Sequence, residues 1–201
     1  MPRRMFLTRL ATLPLAFVLI AAARAELVAT FTREGVTDSR LDRFPALSIH
    51  QGEPATPFLT PGKFDANWKG KISVPRRQRL VFSFEGEGNA NLKIDGKDVL
   101  SGEGNLTGAK SKSTRLNPGE HDFDLSYTSK PDGSASFRIY GEEASFPRQT
   151  IAPSAFTAEA TEATDLGALQ RHGRGLVASQ SCSKCHTAGT GFGSTPMPET
   201  A

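Results

Sequence analysis

The chain has two cysteines, separated by two residues and followed at once by a histidine, in the stretch Cys182-Ser183-Lys184-Cys185-His186. This spacing suits covalent attachment of a haem, because each thiol can add to one vinyl group of the porphyrin. The adjoining His186 then lies beneath the iron and can serve as its proximal ligand. The pattern therefore predicts one haem c, held by Cys182 and Cys185, with His186 on the iron.

The same cysteine pair also fits three other kinds of site. A simple disulfide is physically reasonable in an exported protein. A redox dithiol of the thioredoxin type needs a βαβ context, whereas the residues before this motif predict a helix. A zinc site needs further ligands, and only His172 and His186 lie near the cysteines in sequence. These alternatives remain open beside haem attachment.

A second axial ligand for the iron has one sequence candidate, Met197. It lies beside Pro196 and is the only methionine outside the first 25 residues. Distal methionine ligands of this kind are common in haem proteins. Met197 follows His186 by only 11 residues, however, which is a short loop for wrapping the porphyrin edge.

The first 25 residues predict a removable secretory signal. They combine an arginine-rich start, an apolar run from Leu10 to Ala23, and a small-x-small cleavage pattern that ends at Ala25. The pair Arg3-Arg4 also resembles a twin-arginine export signal, so the Sec and twin-arginine routes both stay open. The expected location is the periplasm, and membrane attachment is expected only if the signal is retained.

The charge of the remaining chain argues against a nucleic-acid partner. Four of the 24 basic residues lie in the first 25 positions, which contain no acidic residue, so 20 basic residues then face 21 acidic ones. Binding to nucleic acid generally needs a basic face on the domain itself. No nucleic acid is therefore expected as a partner, and the redox partner protein is not identified by the sequence.

Residues 26–156 predict an antiparallel β domain, because short apolar–polar alternations recur between turn residues. Asp95-Gly96 predicts a tight hairpin, since both central positions of a type I′ turn need a positive φ. Gly86-Glu87-Gly88 and Gly102-Glu103-Gly104 are also predicted to be turns. Many short strands with frequent turns indicate a β-sandwich or barrel. The predicted strands are Leu27–Arg33, Gly70–Pro75, Arg79–Gly86, Asn91–Leu100, His121–Tyr127 and Ala135–Gly141.

Four segments of this domain, in order, resemble the PA-14 domain, a β-sandwich found in a bacterial toxin's protective antigen, in adhesins and in glycosidases. They are FDANWKGKISVP, FSFEGEGNANLKIDGKDVL, LNPGEHDFDLSY and GSASFRIYGEEASFPRQTIAPSAF. The resemblance covers Glu26 to Phe156 and implies a β-sandwich with a glycan as its candidate ligand. Some lectins of this family bind calcium through two adjacent aspartates, and this sequence has no Asp-Asp pair.

Residues 157–164 predict a linker, and residues 165–201 an incomplete cytochrome c-like segment. Leu166, Leu169, Gly173, Leu176 and Val177 recur at helical spacing and predict an amphipathic helix that leads into the cysteines. The stretch GRGLVASQSCSKCH, positions 173–186, resembles the first helix and attachment site of a class I cytochrome c. That resemblance implies a short α-helical fragment after the β domain.

Two functions follow from these patterns. The first is electron transfer through one covalent haem, with the β domain as a docking or carbohydrate-binding module. The alternative is a carbohydrate- or surface-binding module whose cytochrome segment carries no haem. An electron carrier or binding protein is favoured over an enzyme, since no Ser-His-Asp set or carboxylate pair can be placed at a common site. We expect structural roles for His50 and His121, and a core position for Trp68.

Overall fold

The chain forms one long curled sheet followed by a helix. The computed structural model describes residues 26–143 and 146–180. The strands are β1 (Leu27–Arg33), β2 (Val36–Asp42), β3 (Ala46–Ile49), β4 (Asp65–Val74), β5 (Gln78–Ile94), β6 (Lys97–Asn105), β7 (Thr114–Leu116), β8 (Gly119–Thr128), β9 (Ala135–Glu143), β10 (Phe146–Thr150) and β11 (Phe156–Thr157). A 3₁₀ turn at Pro153–Ala155 precedes β11, and the helix α1 spans Glu162–Ser179.

All strand pairings are antiparallel, along the order β10-β9-β5-β8-β4-β1-β2. Strand β3 also pairs with β9, β6 and β7 pair with β5, and β11 pairs with β4. The predicted hairpin at Asp95-Gly96 is confirmed: it joins β5 to β6, and both residues have positive φ, at 51° and 73°. The sequence pattern missed five strands that are short or strongly polar, namely β2, β3, β7, β10 and β11.

Strand β5 is the element that curls the sheet. Its residues 80–87 pair with β9, whereas residues 89–94 pair with β8 and belong to the other half of the sheet. Gly86 and Gly88 lie at the change of partner with φ of 118° and 122°. A Cβ at Gly86 would collide with the carbonyl oxygen of Ser136. The prediction of turns at positions 86–88 and 102–104 is therefore wrong, because both segments lie inside strands and the first one bends its strand.

One aromatic core joins the two halves of the curled sheet. Trp68 of β4 stacks on Phe137 of β9, with ring centroids 6.2 Å apart, although these strands are not neighbours in the sheet. Tyr127 of β8 contacts the same ring at 5.1 Å. Such contacts across the interior require the halves to face each other. The predicted β-sandwich-like architecture, followed by a short helix, is thereby confirmed.

None of the helices in the described ranges is long and apolar enough to cross a membrane.

Candidate functional site

The four residues predicted to hold a haem lie outside the described residues. Cys182, Cys185, His186 and Met197 all follow Gln180, the last residue that the structure describes. The helix that leads to them is described in full. Its start is stabilised by a capping box, in which the Thr164 amide donates to Thr161 Oγ1 at 3.2 Å and the Thr161 amide donates to Thr164 Oγ1 at 2.8 Å.

Helix α1 is attached to the β domain through a buried ion pair. The Arg171 guanidinium donates from Nη2 to both carboxylate oxygens of Asp38 at 2.6 Å, and from Nη1 to the Ser39 carbonyl oxygen at 3.2 Å. The Asp38 side chain is only 1% exposed. Arg171 also lies over the Phe58 ring, 5.7 Å from its centroid. Strand β2 therefore carries the docking site of the helix.

The leucine stripe of the predicted amphipathic helix is not the face by which α1 docks. The buried side contains Thr164, Gly167 and Ala178, and a Cβ at Gly167 would collide with the Ser39 carbonyl oxygen. Leu166, Leu169 and Leu176 point away and are 50–69% exposed. The predicted helix is confirmed, but its leucine stripe does not pack on the sheet, because a small residue and an arginine allow a closer, hydrogen-bonded approach to β2.

The outward side chains of four neighbouring strands form three aligned rows. The rows, each written in the order β4, β8, β5, β6, are Asp65-Thr128-Asn89-Glu103, Asn67-Ser126-Asn91-Ser101 and Lys69-Asp124-Lys93-Asp98. Directly opposed residues in antiparallel strands lie close enough for their side chains to interact. The sheet register thus assembles a polar platform from four strands that are separate in sequence.

The third row is occupied by ion pairs within the protein. Lys69 Nζ lies 3.5 Å from Asp124 Oδ2, and Lys93 Nζ lies 3.7 Å from Asp98 Oδ1. A hydrogen bond from the Asn91 amide, followed by the charge of Lys93, lowers the pKa of Asp98 below its usual value. These groups satisfy one another, which leaves few free donors or acceptors in this row.

The first two rows contain the functional groups that remain free. Asn89, Ser101 and Glu103 are exposed, and within the described ranges no hydrogen bond or ion pair engages their side chains. Asn91 donates from Nδ2 to Asp98 Oδ1 at 2.8 Å, while its Oδ1 lacks a partner. That oxygen is buried, so Asn89, Ser101 and Glu103 carry the groups of this face that a ligand can reach.

A shallow groove runs over these free groups, and we call it the polar groove. It consists of two adjoining depressions of about 350 Å³ and 420 Å³ that share Asn89, Glu103 and Thr128. The first extends over Asn91, Ser101 and Ser126. The second extends over the β5 bend to Lys63, Glu87 and Lys130.

Hydrogen bonds and an ion pair fix the part of the polar groove that lies over the β5 bend. Tyr127 Oη donates to the Glu87 carbonyl oxygen at 2.6 Å, which fixes the backbone where β5 changes partner. Burial raises the pKa of Tyr127 far above its usual value, so the hydroxyl remains a donor. The Glu87 carboxylate lies 2.7 Å from Lys130 Nζ and raises the pKa of that ammonium group.

Sequence reasoning did not find this groove. Its residues come from β5, β6, β8 and two loops, and no short motif links them. One signal was available in the sequence. Asn89 and Asn91, and likewise Ser101 and Glu103, are two residues apart, so each pair faces one side of its strand, and a predicted hairpin joins the two strands. Because residues 86–88 and 102–104 were predicted to be turns, these side chains were not assigned to a common strand face.

The other sequence candidates have structural environments. Trp68 is fully buried, as predicted, and its Nε1 donates to Asp42 Oδ2 at 3.1 Å. The structural role predicted for His121 is confirmed by its hydrogen bonds to Asp95 Oδ2 at 2.7 Å and the Asn117 carbonyl oxygen at 2.9 Å. His50 is exposed and contacts Glu53. Among the described residues, no group of His, Cys, Asp and Glu side chains is arranged to hold a metal ion.

Comparison with known proteins identifies the fold but no family. No protein-family model and no curated protein matches the chain. Three solved structures are similar at low identity. An anti-sigma factor domain-containing protein from Clostridium clariflavum matches with a TM-score of 0.59 and 20% identity, over 68% of this chain and 48% of that protein. The present chain thus spans about half the length of that protein.

The other two structures are isolated domains that the chain nearly spans. The PA14 domain of the MpAFP antifreeze protein matches with a TM-score of 0.51 and 10% identity, over 75% of this chain and 96% of that domain. The A domain of epithelial adhesin 6 from Candida glabrata, solved in complex with Galβ1-3GlcNAc, matches with a TM-score of 0.52 and 8% identity, over 72% and 92%. The chain therefore has a mainly antiparallel, PA14-like β fold followed by a short helix.

Proposed function

We propose that this chain is an exported binding module whose β domain binds carbohydrate in the polar groove. The observation that carries the proposal is the set of free amide, hydroxyl and carboxylate groups of Asn89, Ser101 and Glu103, on a face whose third row is engaged in ion pairs within the protein. The PA14-like fold supports it, since an adhesin domain of similar fold was solved with a disaccharide.

The chemistry of the polar groove matches a polyhydroxylated ligand. A sugar hydroxyl both donates and accepts hydrogen bonds. An asparagine side chain can bond to it in both ways, because its NH2 group donates and its oxygen accepts. A carboxylate such as Glu103 accepts strongly from hydroxyl donors. Serine and threonine hydroxyls can take either role, so neighbouring hydroxyls on one sugar ring find partners on adjacent strands.

Removal of two free groups tests this assignment. The full-length protein and its N89A/E103A variant are applied to a panel of neutral mono- to tetrasaccharides, and the affinities are measured by isothermal titration calorimetry. We expect at least a tenfold loss in the variant, which corresponds to about 1.4 kcal/mol. Lys93→Ala, on the same face but outside the groove, is the matched control and should stay within twofold, because exposed ion pairs contribute little.

Two results would contradict the proposal. Failure of the wild-type protein to bind any neutral glycan on the panel would remove the sugar-binding function. Equal weakening by Lys93→Ala and by N89A/E103A would show that the groove is not the binding site.

A second function, electron transfer, is favoured by the Cys182-Ser183-Lys184-Cys185-His186 motif. We propose that Cys182 and Cys185 hold one haem c and that His186 is its proximal ligand, with Met197 as the candidate distal ligand. Two thiols and an imidazole at this spacing fit the group chemically. When bound, the haem would supply one-electron transfer at its iron.

The chain's own residues would anchor the haem-bearing segment. Helix α1 ends at Ser179, three residues before Cys182, and Arg171 attaches that helix to Asp38 of β2. The segment therefore starts from a fixed point on the β domain.

Intact mass and visible absorbance test haem attachment in protein exported from a strain with a cytochrome c maturation system. We expect the mass of one haem and a sharp reduced α-band, both absent in the C182A/C185A variant. A mass two hydrogens below that of the unmodified chain would instead indicate a disulfide and contradict this second function. The same spectrum tests export, since cleavage after Ala25 sets the polypeptide mass expected for a periplasmic protein.

A further inference from the structure

We propose that the polar groove takes an uncharged, linear oligosaccharide of at least two sugar units, laid along β5 and β8 and across the β5 bend. This inference rests on the proposed sugar-binding function and adds to it the length and charge of the ligand. A single sugar, or an acidic glycan, would use the site poorly.

The length follows from the continuity of the two depressions. They share the row Thr128, Asn89 and Glu103, so a ligand in one meets the other without crossing a ridge of unrelated residues. Along β8 and its extension, Ser126 to Lys130 is four residue steps, about 14 Å at about 3.4 Å per residue in an antiparallel strand. This distance exceeds the width of one pyranose ring.

A glycine of β6 allows the ligand to lie close to the backbone. Gly88 and Gly104 both line the second depression, and Gly104 leaves it open because it carries no side chain. A Cβ at Gly104 would project into open space, whereas one at Gly88 would collide with the Thr128 carbonyl oxygen at 2.6 Å and with the Tyr127 ring, so Gly88 is required by packing within the protein. At Gly104, therefore, a ligand can lie close to the β6 backbone.

The charges that line the groove balance. Glu87 and Glu103 are opposed by Lys63 and Lys130, and Lys130 lies 2.7 Å from Glu87. A site without an excess of one sign does not concentrate charged ligands. The free carboxylate of Glu103 also lies in the row that both depressions share, where it would repel an acidic sugar at either position.

The groove has no exposed aromatic ring on which a sugar could stack, which explains why more than one sugar unit is needed. Tyr127 is the aromatic residue among those lining the two depressions, and it is 1% exposed. Binding must then rely on hydrogen bonds, whose net contributions are modest after desolvation. Association also loses translational and rotational freedom, so contacts from several sugar units have to accumulate.

A chain-length series tests the inference on the full-length protein. The probes are one to four units of neutral gluco-, galacto- and manno-configured oligosaccharides, together with a uronate trisaccharide. For the neutral series that binds, we expect affinity to rise at least tenfold from one to three units and then level off. The uronate trisaccharide should bind at least tenfold more weakly than the neutral trisaccharide of that series.

Variants at the two ends of the groove distinguish one extended site from a small one. Ser101→Ala removes a free hydroxyl from the first depression and Lys130→Ala alters the second, and thermal unfolding checks that each variant is folded. We expect both to weaken trisaccharide binding at least threefold, and at least one of them to leave monosaccharide binding unchanged.

The outcomes separate this inference from the function on which it rests. If no neutral glycan binds at any length, the proposed sugar-binding function is contradicted, and the inference is overturned with it. If a monosaccharide binds as tightly as the trisaccharide, or if the uronate binds more tightly, sugar binding stands and the inference is overturned.

Discussion

At the scale of single residues, His121 connects the β5–β6 hairpin to the start of β8. Its ring bonds the Asn117 carbonyl oxygen and the Asp95 carboxylate, and Asp95 Oδ1 also accepts from the Asp122 amide at 2.9 Å. The hydrogen bond to Asn117, followed by that to Asp95, raises the pKa of His121 above its usual value. The hydrogen bond from His121 in turn lowers the pKa of Asp95.

This arrangement predicts that the protein loses stability as the pH rises from 6 to 9. Because the folded state raises the pKa of His121, its protonation stabilises the fold fully below the ordinary pKa of about 6.5 and is lost as pH passes the raised value. Asp95 stays ionised over this range. Urea unfolding at several pH values measures the effect, and His121→Gln, which does not titrate, should reduce the slope. An unchanged slope in that variant would assign the pH dependence to other groups.

At the scale of elements, α1 docks through a charged and a small residue instead of its leucines. The ion pair between Arg171 and Asp38 is desolvated on the carboxylate side, since Asp38 is 1% exposed there and Arg171 is 27% exposed. Removing one partner of a buried pair leaves an uncompensated charge. The attachment of the helix should therefore depend on this pair more than on any apolar contact.

Accordingly, Arg171→Ala should release α1 from β2 while the sheet stays folded. Hydrogen exchange measured by mass spectrometry should show loss of protection in residues 162–179 and unchanged protection in β4 and β8. Leu169→Ala, at a 69% exposed position on the opposite face, is the matched control and should leave protection of the helix intact. Retained protection in Arg171→Ala, or its loss in Leu169→Ala, would mean that the leucine face holds the helix.

At the scale of the whole molecule, the two halves of the curled sheet share one core. Phe137 contacts Trp68, Tyr127 and Phe84, which belong to three different strands. A bend in β5 alone would not keep the halves together, because glycines give no packing of their own. The buried rings couple folding of one half to folding of the other.

This shared core predicts that residues 26–156 unfold as one unit. Phe137→Ala should lower the free energy of unfolding by about 3–5 kcal/mol, as is typical for removal of a buried aromatic ring. Trp68 is the only tryptophan, so its fluorescence reports on the core while far-UV circular dichroism reports on the strands. The two signals should change at the same urea concentration, and two separate transitions would contradict a single core.

The sequence alone determined the strand-rich class of residues 26–156, the Asp95-Gly96 hairpin, the burial of Trp68 and a helix before the cysteines. These features are local, since they depend on side-chain alternation, on turn residues that tolerate positive φ, and on helical spacing. The N-terminal pattern that predicts a signal peptide and the cysteine motif are also local, and the haem, the export route and the location that they predict remain predictions.

Only the tertiary structure decided which residues share a surface. Asn89, Ser101, Ser126 and Glu103 meet because the register of three strands aligns them, and register depends on contacts between residues far apart in the chain. The docking face of α1 was decided in the same way, by the carboxylate of Asp38 more than 130 positions earlier in the chain. Periodicity shows that a helix has two faces, but the partner surface selects the face that is buried.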